Sequence, residues 1–299
     1  MSEIRLSRRR FLGATASGAA ALGTVGAWAP NAAAREGLSK GRISIQMWSL
    51  RDMFAADPEG TLRALAAIGY VQIELAGIPP GQTASSLRAI LDDVGIRAYS
   101  GHDGWDVNNF DEDGYRAQLE RAVTLGQAQT GFPWFPGPYT EDFFKVVAEQ
   151  LNRAATIAKR EFGLRFFYHN HDFEFTNRRA DGRPVYTVLL EETDPRLVTF
   201  QMDLMWINFG GGPWRQLLTA MPDRFTSFHV KDQSPEASPT CNCDLFADPG
   251  QGVAPLEEML ATAGKPGSRR YHIERDSQMH PLTTARTGFE FLRNLDLRG

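Results

Sequence analysis

Two hydrophobic patterns alternate along the chain from residue 41 onward. Short runs of β-branched and aromatic residues are followed by longer segments in which apolar residues recur every three or four positions, as on one face of a helix. Phe144, Val147, Leu151 and Ala154 form one such stripe. The short runs predict eight strands, at residues 43–47, 71–75, 97–101, 127–131, 165–169, 198–203, 226–230 and 270–273.

Glycines mark the ends of several predicted helices. Gly69, Gly95, Gly126 and Gly163 stand just before or at the start of the next strand segment, where a left-handed residue commonly ends a helix. Eight strand–helix repeats within residues 41–299 predict one closed parallel barrel, because such barrels typically need ~250 residues. The expected fold class is therefore α/β, a single-domain (β/α)₈ TIM barrel.

An open, doubly wound sheet is the alternative to a barrel. No predicted strand leads into a Gly-x-Gly-x-x-Gly turn, which disfavours a nucleotide-binding sheet. We interpret the three glycines at 210–212, placed after a strand, as a flexible loop. The stretch 232–253 is long and rich in Pro, Asp, Ser and Gly, which is typical of a lid or binding loop.

The N-terminus carries a targeting pattern. Residues 7–12 read SRRRFL, a twin-arginine pattern, and a weakly apolar run to Trp28 is followed by small residues at Ala32 and Ala34. We interpret residues 1–34 as a twin-arginine (Tat) signal peptide cleaved near Ala29 or Ala34. This predicts a periplasmic or exported protein with the Tat translocon as a partner during export. A stable membrane anchor is not expected, since a spanning helix needs ~20 strongly apolar residues.

Composition narrows the class of protein further. The chain is 42% hydrophobic and 23% charged, the balance of an ordinary globular protein. Its formal charge is -4, and residues 1–34 contribute +3, so the remainder carries -7. Nucleic-acid binding is not expected, because it requires a surplus of Lys and Arg to neutralise phosphates.

Two cysteines, Cys241 and Cys243, lie one residue apart in the long loop segment. They could form a disulfide in an oxidising compartment, contribute to a metal site or remain loop thiols. We expect no stable structural disulfide, because a single intervening residue strains such a bridge.

Polar side chains interrupt the apolar strands at their C-terminal ends. In a parallel barrel these ends converge on one mouth, where barrel enzymes place their active sites. A carboxylate or imidazole alone at such an end is usually structural, but several around one axis need a cation to compensate them. Oxygen and nitrogen ligands suit one Mn²⁺, Co²⁺, Mg²⁺ or Zn²⁺ ion. The residues concerned are Glu74, His102, His169, His171, Asp203, His229 and Glu274.

These motifs resemble a known family. The segments QMWSLRD, YHNHDFEF, FQMDLMW, FHVKD, GQGV and IERD are similar to the sugar phosphate isomerase/epimerase group of xylose isomerase-like barrels, in register from about residue 41. The resemblance implies one divalent metal held at the ends of strands five to eight by Glu, Asp, His and Glu, with the two glutamates moving a proton. Asp203, His229 and Glu274 match that pattern. Strand five instead offers His169, a substitution that resembles inosose dehydratases.

Further site residues follow from position. Glu74 and His102 are candidates, with Glu274, for the catalytic base, or they orient the ligands from behind. His171, Lys231 and the tryptophans are candidates for substrate binding, although each could equally be a loop, ion-pair or core residue. The candidate substrate-binding set is Trp48, Trp134, His171, Trp206, Lys231 and Arg275.

Three classes of function remain open at this point. The leading hypothesis is a metal-dependent isomerase or epimerase that removes a proton next to the carbonyl of a non-phosphorylated sugar or keto-sugar. The first alternative is a keto-glycoside lyase or dehydratase on the same barrel. A sugar-binding barrel without catalysis is the second. An endonuclease-like barrel is disfavoured by the acidic charge and the signal peptide.

Overall fold

The strands and helices that alternate along the sequence form a barrel. The computed structural model describes residues 37–237 and 244–297, and the strands within them are mostly buried along their whole length, as expected for a parallel sheet covered by helices. The strands are β1 (Ile43–Ile45), β2 (Gln72–Leu75), β3 (Arg97–His102), β4 (Gln129–Phe132), β5 (Arg165–His169), β6 (Val198–Asp203), β7 (Phe225–Val230), β8 (Asp232–Gln233), β9 (Phe246–Ala247) and β10 (Arg270–Ile273).

Eight of these strands form one parallel sheet in the order β1-β10-β7-β6-β5-β4-β3-β2. A single parallel bridge between Gln46 and Glu74 joins the first strand to the second and brings the two sheet edges together. The predicted TIM barrel is therefore confirmed. The short strands β8 and β9 form a separate antiparallel hairpin.

Helices pack around the sheet between consecutive strands. Thr83 and Thr140 cap two of them through their side chains, and Gly95 and Gly163 end the same two in the left-handed conformation, with φ of 78° and 70°. The helices are α1 (Arg51–Ala56), α2 (Pro58–Ile68), α3 (Ala84–Val94), α4 (Glu112–Thr124), α5 (Glu141–Phe162), α6 (Phe173–Thr176), α7 (Tyr186–Glu192), α8 (Leu204–Phe209), α9 (Trp214–Ala220), α10 (Leu256–Ala263) and α11 (Pro281–Asn294).

Two loop predictions need correction. The glycines at 210–212 do not follow a strand directly, because α8 lies between β6 and that run. The segment after β7 is not wholly irregular, since it contains the β8–β9 hairpin. The buried Asp232 carboxylate closes this segment by accepting hydrogen bonds from the backbone N–H groups of Gly250, Gly252 and Ala254.

Strand register places the candidate ligands at one level. Asp203 on β6 pairs with His229 on β7, and His229 pairs in turn with His272 on β10, two residues before Glu274. His169 on β5 pairs with Gln201, two residues before Asp203. Since side chains two apart share a face of a strand, the ligand candidates point together toward the barrel axis.

Two predicted features lie outside the described residues: the signal peptide at 1–34, and Cys241 and Cys243. Across residues 37–237 and 244–297, none of the helices is both long and apolar enough to cross a membrane.

Candidate active site

Four buried side chains meet at the C-terminal mouth of the barrel. His169, Asp203, His229 and Glu274 each offer one ligand atom, and these atoms all lie within 4.8 Å of one another. They come from the ends of β5, β6 and β7 and from the residue after β10. The four residues that the sequence proposes as metal ligands are thus brought together by the fold.

A buried lysine occupies the same cluster. Lys231 is 1% exposed, and its Nζ lies 3.2 Å from Asp203 Oδ2, 3.0 Å from Glu274 Oε2 and 3.0 Å from Asp276 Oδ1. Burial alone lowers the pKa of Lys231, but the charges of Asp203, Asp276 and Glu274 outweigh it and raise the pKa above the ordinary value. The ammonium group is therefore charged and partly compensates the carboxylates.

The cluster still has capacity for a cation. Asp203 Oδ1 caps α8 by accepting from the Trp206 N–H, whereas the buried Oδ2 accepts no hydrogen bond and has Lys231 Nζ at 3.2 Å as its charged neighbour. Burial raises the pKa of Asp203 to about 6, although Lys231 and His229 act in the opposite direction. A buried carboxylate oxygen that accepts no hydrogen bond and lies among imidazole and carboxylate groups fits a small divalent ion.

Glu74 sits behind the cluster as a fully buried hydrogen-bond centre. Its carboxylate accepts from Gln46 Nε2 at 3.0 Å, Ser100 Oγ at 2.6 Å and Gln201 Nε2 at 2.8 Å. His229 Nε2 lies 2.5 Å from Glu74 Oε1, while His229 Nδ1 lies 2.6 Å from Glu274 Oε2. Burial by itself raises the pKa of Glu74, but the surrounding histidines lower it well below the ordinary value, so the group is ionised.

The two carboxylates on either side of His229 control its protonation. Although burial lowers the pKa of His229, Glu274 and Glu74 raise it to about 10 in the metal-free site. A metal ion competes with the proton for this imidazole, since only the neutral ring is a ligand.

A cavity of about 330 Å³ opens above these residues, within the size range of small-molecule sites. His102 contributes an imidazole whose Nε2 lies 2.9 Å from Gln201 Oε1 and 3.3 Å from Glu74 Oε1. Burial and the charge of Lys231 lower the pKa of His171 to about 3. The lining residues are Trp48, Ala76, His102, Pro133, His169, His171, Lys231, Glu274 and Asp276.

The remaining predicted site residues lie at different distances from this cavity. Trp48 lines it and stacks on Arg51. Trp206 lies behind Lys231, whose Nζ is 5.5 Å from the ring centroid. Trp134 is 49% exposed on the rim, outside the lining of the cavity.

Arg275 does not line the cavity and instead anchors the segment around Asp244 and Asp248. Its guanidinium donates to Asp244 at 2.6 Å and to Asp248 at 2.8 Å. Of the two residues following Glu274, it is Asp276 that lines the cavity.

Several polar residues of the site were not singled out from the sequence. Gln46, Ser100 and Gln201 hold Glu74 or the histidines, and Asp276 holds Lys231. Each of these residues stands two positions from a strand-end group or interrupts an apolar strand. Strand alternation could therefore have placed their side chains on the same face as the site. It could not reveal which of these polar groups touch one another.

Comparison with known proteins identifies the family. The model of the xylose isomerase-like TIM barrel matches residues 62–295. The chain belongs to this family.

Proteins similar to this chain differ in name. An inosose dehydratase from Lactiplantibacillus plantarum is 25% identical over 190 residues, which span 58% of this chain and 62% of that relative. A sugar phosphate isomerase/epimerase structure from Parabacteroides distasonis superposes with a TM-score of 0.70 at 22% identity, covering 86% of this chain and 99% of that one. The IOLI protein, solved with a zinc atom, superposes with a TM-score of 0.65 at 14% identity, covering 86% and 97%. The likenesses to solved structures support the fold.

Proposed function

We propose that the protein is a metal-dependent enzyme that removes a proton from the carbon next to the carbonyl of a keto-sugar or related keto-polyol. Within that class we favour elimination of a β-oxygen over epimerisation. His169, Asp203, His229 and Glu274 would hold one divalent ion, and the cavity beside them would hold the substrate. The zinc atom in the IOLI structure and the name of the curated dehydratase relatives support this assignment.

The observation that carries the proposal is the position of Glu74 behind His102. Glu74 is fully buried and is absent from the cavity lining among the described residues, whereas His102 lines the cavity and contacts the Glu74 carboxylate. A histidine backed by a buried carboxylate is a well-placed general base, because the carboxylate stabilises the imidazolium that forms. Glu74 therefore acts through His102 and His229, not as a second base on the substrate.

This arrangement argues against symmetric exchange between two carboxylates. Glu274 and Asp276 line the cavity, but both contact the Lys231 ammonium. His169 stands where the epimerase pattern has a second glutamate. One imidazole base on one face of the substrate suits removal of a proton followed by loss of an oxygen substituent better than return of the proton to the opposite face.

Elimination transfers one proton from carbon to the leaving oxygen by way of His102. When bound, a divalent cation supplies polarisation of the carbonyl oxygen, which lowers the pKa of the adjacent C–H. His102 takes that proton, and the electrons of the C–H bond form a carbon–carbon double bond. The bond from the next carbon to its oxygen substituent then breaks, and the leaving oxygen departs with the proton that His102 returns. Lys231, held among carboxylates, orients a substrate oxygen.

The test is product analysis of metal-loaded protein with cyclic keto-polyols and keto-glycosides in D₂O, followed by NMR. Elimination predicts an unsaturated ketone and released water or alcohol. Epimerisation predicts an intact epimer with deuterium at the carbon next to the carbonyl. No exchange and no turnover across the panel, with metal demonstrably bound, would overturn the enzyme assignment and favour a sugar-binding role.

We propose from residues 7–12 that the protein is exported. Export limits which substrates the protein meets. A periplasmic enzyme meets free or oxidised sugars, since phosphorylated sugars are mostly intracellular. Replacing Arg8 and Arg9 by Lys should trap the precursor in the cytoplasm, as measured by fractionation. Unchanged periplasmic delivery of the double-lysine variant would remove this argument.

A further inference from the structure

The opposite, N-terminal mouth of the barrel is lined by arginines. Arg97, Arg165 and Arg270 are the first residues of β3, β5 and β10, and Arg42 immediately precedes β1. By strand alternation, Arg165 shares a face with His169, and Arg270 shares one with His272 and Glu274. These side chains therefore start from the inward face, at the end of the barrel away from the candidate metal site.

Two of these arginines, Arg165 and Arg270, contact the same aromatic ring. The guanidinium carbon of Arg270 lies 4.1 Å from the centroid of the Tyr99 ring, and that of Arg165 lies 5.8 Å from the same centroid. Arg165 also donates a hydrogen bond to the Tyr99 hydroxyl. Two guanidinium groups therefore contact the same Tyr99 side chain.

Their positive charges lack neutralising partners. In residues 37–237 and 244–297, no carboxylate lies within ion-pair distance of Arg42, Arg97, Arg165 or Arg270, although arginines elsewhere, such as Arg116 and Arg275, pair with acids. Burial lowers the pKa of Arg270, Tyr99 opposes this shift, and the charges of Arg42, Arg165 and Arg97 lower the pKa further.

Polar atoms without partners lie next to these charges. Arg270 Nε and Nη1 are buried and donate no hydrogen bond within the described structure. Gln72 and Gln129 pair in register with Arg97 and Arg165, and Ser44 is two residues after Arg42. Within the described structure, Ser44 Oγ, both amide atoms of Gln72 and Gln129 Nε2 are likewise buried without a partner. All three side chains are at most 4% exposed. Buried polar atoms of this kind normally have a hydrogen-bond partner. Their lack of one within the described structure indicates that a ligand could bind here.

We propose that this mouth binds a small tetrahedral oxyanion, phosphate or sulfate, held by Arg42, Arg97, Arg165 and Arg270. Guanidinium groups bind such oxygens in a bidentate manner, and several converging on one point favour a multiply charged anion over chloride. The site is separate from the candidate metal centre and does not depend on the proposed reaction.

The test is thermal unfolding and calorimetric titration of the purified chain with sodium phosphate or sulfate, at ionic strength held constant with chloride. We expect a saturable rise in melting temperature, because an anion that binds only the folded state stabilises it by mass action. Arg165→Gln should weaken binding at least about tenfold, the loss expected for one charge-assisted contact. Arg97→Gln serves as a second variant if Arg165→Gln folds poorly.

Arg160→Gln is the matched control, because Arg160 is an exposed arginine on α5, outside this cluster. It should leave binding unchanged. Titration with a phosphate monoester distinguishes a phosphorylated ligand from the free ion. Tighter binding of the ester than of phosphate indicates a phosphorylated ligand, and the reverse indicates the free ion. Absence of saturable binding, an equal loss in Arg160→Gln, or a loss in Asp203→Ala that Arg165→Gln does not share would overturn the proposal.

Discussion

The two mouths of the barrel carry side-chain charges of opposite sign. At the C-terminal mouth, Glu74, Asp203 and Glu274 are buried carboxylates, and the chain itself supplies Lys231 and His229 against them. At the N-terminal mouth, arginines approach one another without a described acid between them. The comparison shows that the chain supplies cations to the buried carboxylates at one mouth, and that the described residues supply no acid to the arginines at the other.

The largest expected effect concerns the catalytic role assigned to the C-terminal mouth. His102→Gln should lower kcat about 10²- to 10⁴-fold, because it removes the proposed general base while leaving the four ligands in place. The measurement is steady-state kinetics on the substrate found by NMR, with metal content checked in parallel.

Glu74→Gln sharpens this result. It keeps the size of the side chain behind His102 but removes the charge, so kcat should fall and the pH profile of the rate should shift, since the imidazolium loses its carboxylate. A kcat and a pH profile equal to those of the unaltered protein would show that Glu74 has only a packing role.

Removing a cation should have opposite consequences at the two mouths. Lys231→Met leaves Asp203, Glu274 and Asp276 without their shared partner. We expect a loss of about 3–5 kcal/mol in the free energy of unfolding of the metal-free protein, the usual result of breaking a buried ion pair. Urea unfolding with and without a chelator measures it, and the loss should be smaller with metal bound. An equal loss in both conditions would contradict a shared electrostatic role.

The buried acid Glu174, near the C-terminal mouth, should make the stability of the protein depend on pH. Burial raises the pKa of Glu174 from 4.5 to about 8, although hydrogen bonds from Tyr168 and the His171 backbone oppose this. The folded state therefore binds the proton more tightly than the unfolded state, and stability is lost as pH rises from about 4.5 to about 8.

Glu174→Gln removes that dependence while retaining an acceptor for Tyr168 and His171. Relative to the variant, the unaltered protein should become less stable by up to a few kcal/mol between pH 5 and 8, given ~1.4 kcal/mol per pKa unit. Parallel pH dependence of melting in the two proteins would show that Glu174 does not titrate in this range.

The smallest effect is expected at the N-terminal mouth. In chloride buffer, Arg165→Gln should raise the free energy of unfolding by less than about 1 kcal/mol, because Arg165 is exposed and water screens its repulsion of the half-buried Arg270. Thermal unfolding without phosphate or sulfate measures it. A destabilisation of the size expected for Lys231→Met would mean that the arginines are paired in solution and that the contrast between the mouths is wrong.

Much of the molecule could be predicted from local patterns. Strand and helix periodicity predicted all eight barrel strands, and the barrel then placed His169, Asp203, His229 and Glu274 together, because parallel strand ends share one mouth. The roles of Glu74 and Arg275 were harder to infer. Their residue types suit catalysis or binding, but Glu74 is covered by histidines and Arg275 is held by Asp244 and Asp248. Such side-chain partnerships join distant segments and leave no periodic signal.

The arginine mouth was missed for a related reason. Each arginine stands alone at the start of a strand, where a solvated charge is ordinary. Only closure of the barrel brings Arg42, Arg97, Arg165 and Arg270 to one end and separates them from acids.

The most direct test of the account is the metal content of purified protein by elemental mass spectrometry, compared across two matched aspartate variants. Asp203 belongs to the four-ligand cluster, whereas Asp276 contacts the same Lys231 from outside it. We predict one divalent ion per chain in the unaltered protein and in Asp276→Asn, and loss of most of that ion in Asp203→Asn. Equal metal content in the two variants, or no divalent ion in protein dialysed against Mn²⁺, Co²⁺, Mg²⁺ or Zn²⁺, would contradict it.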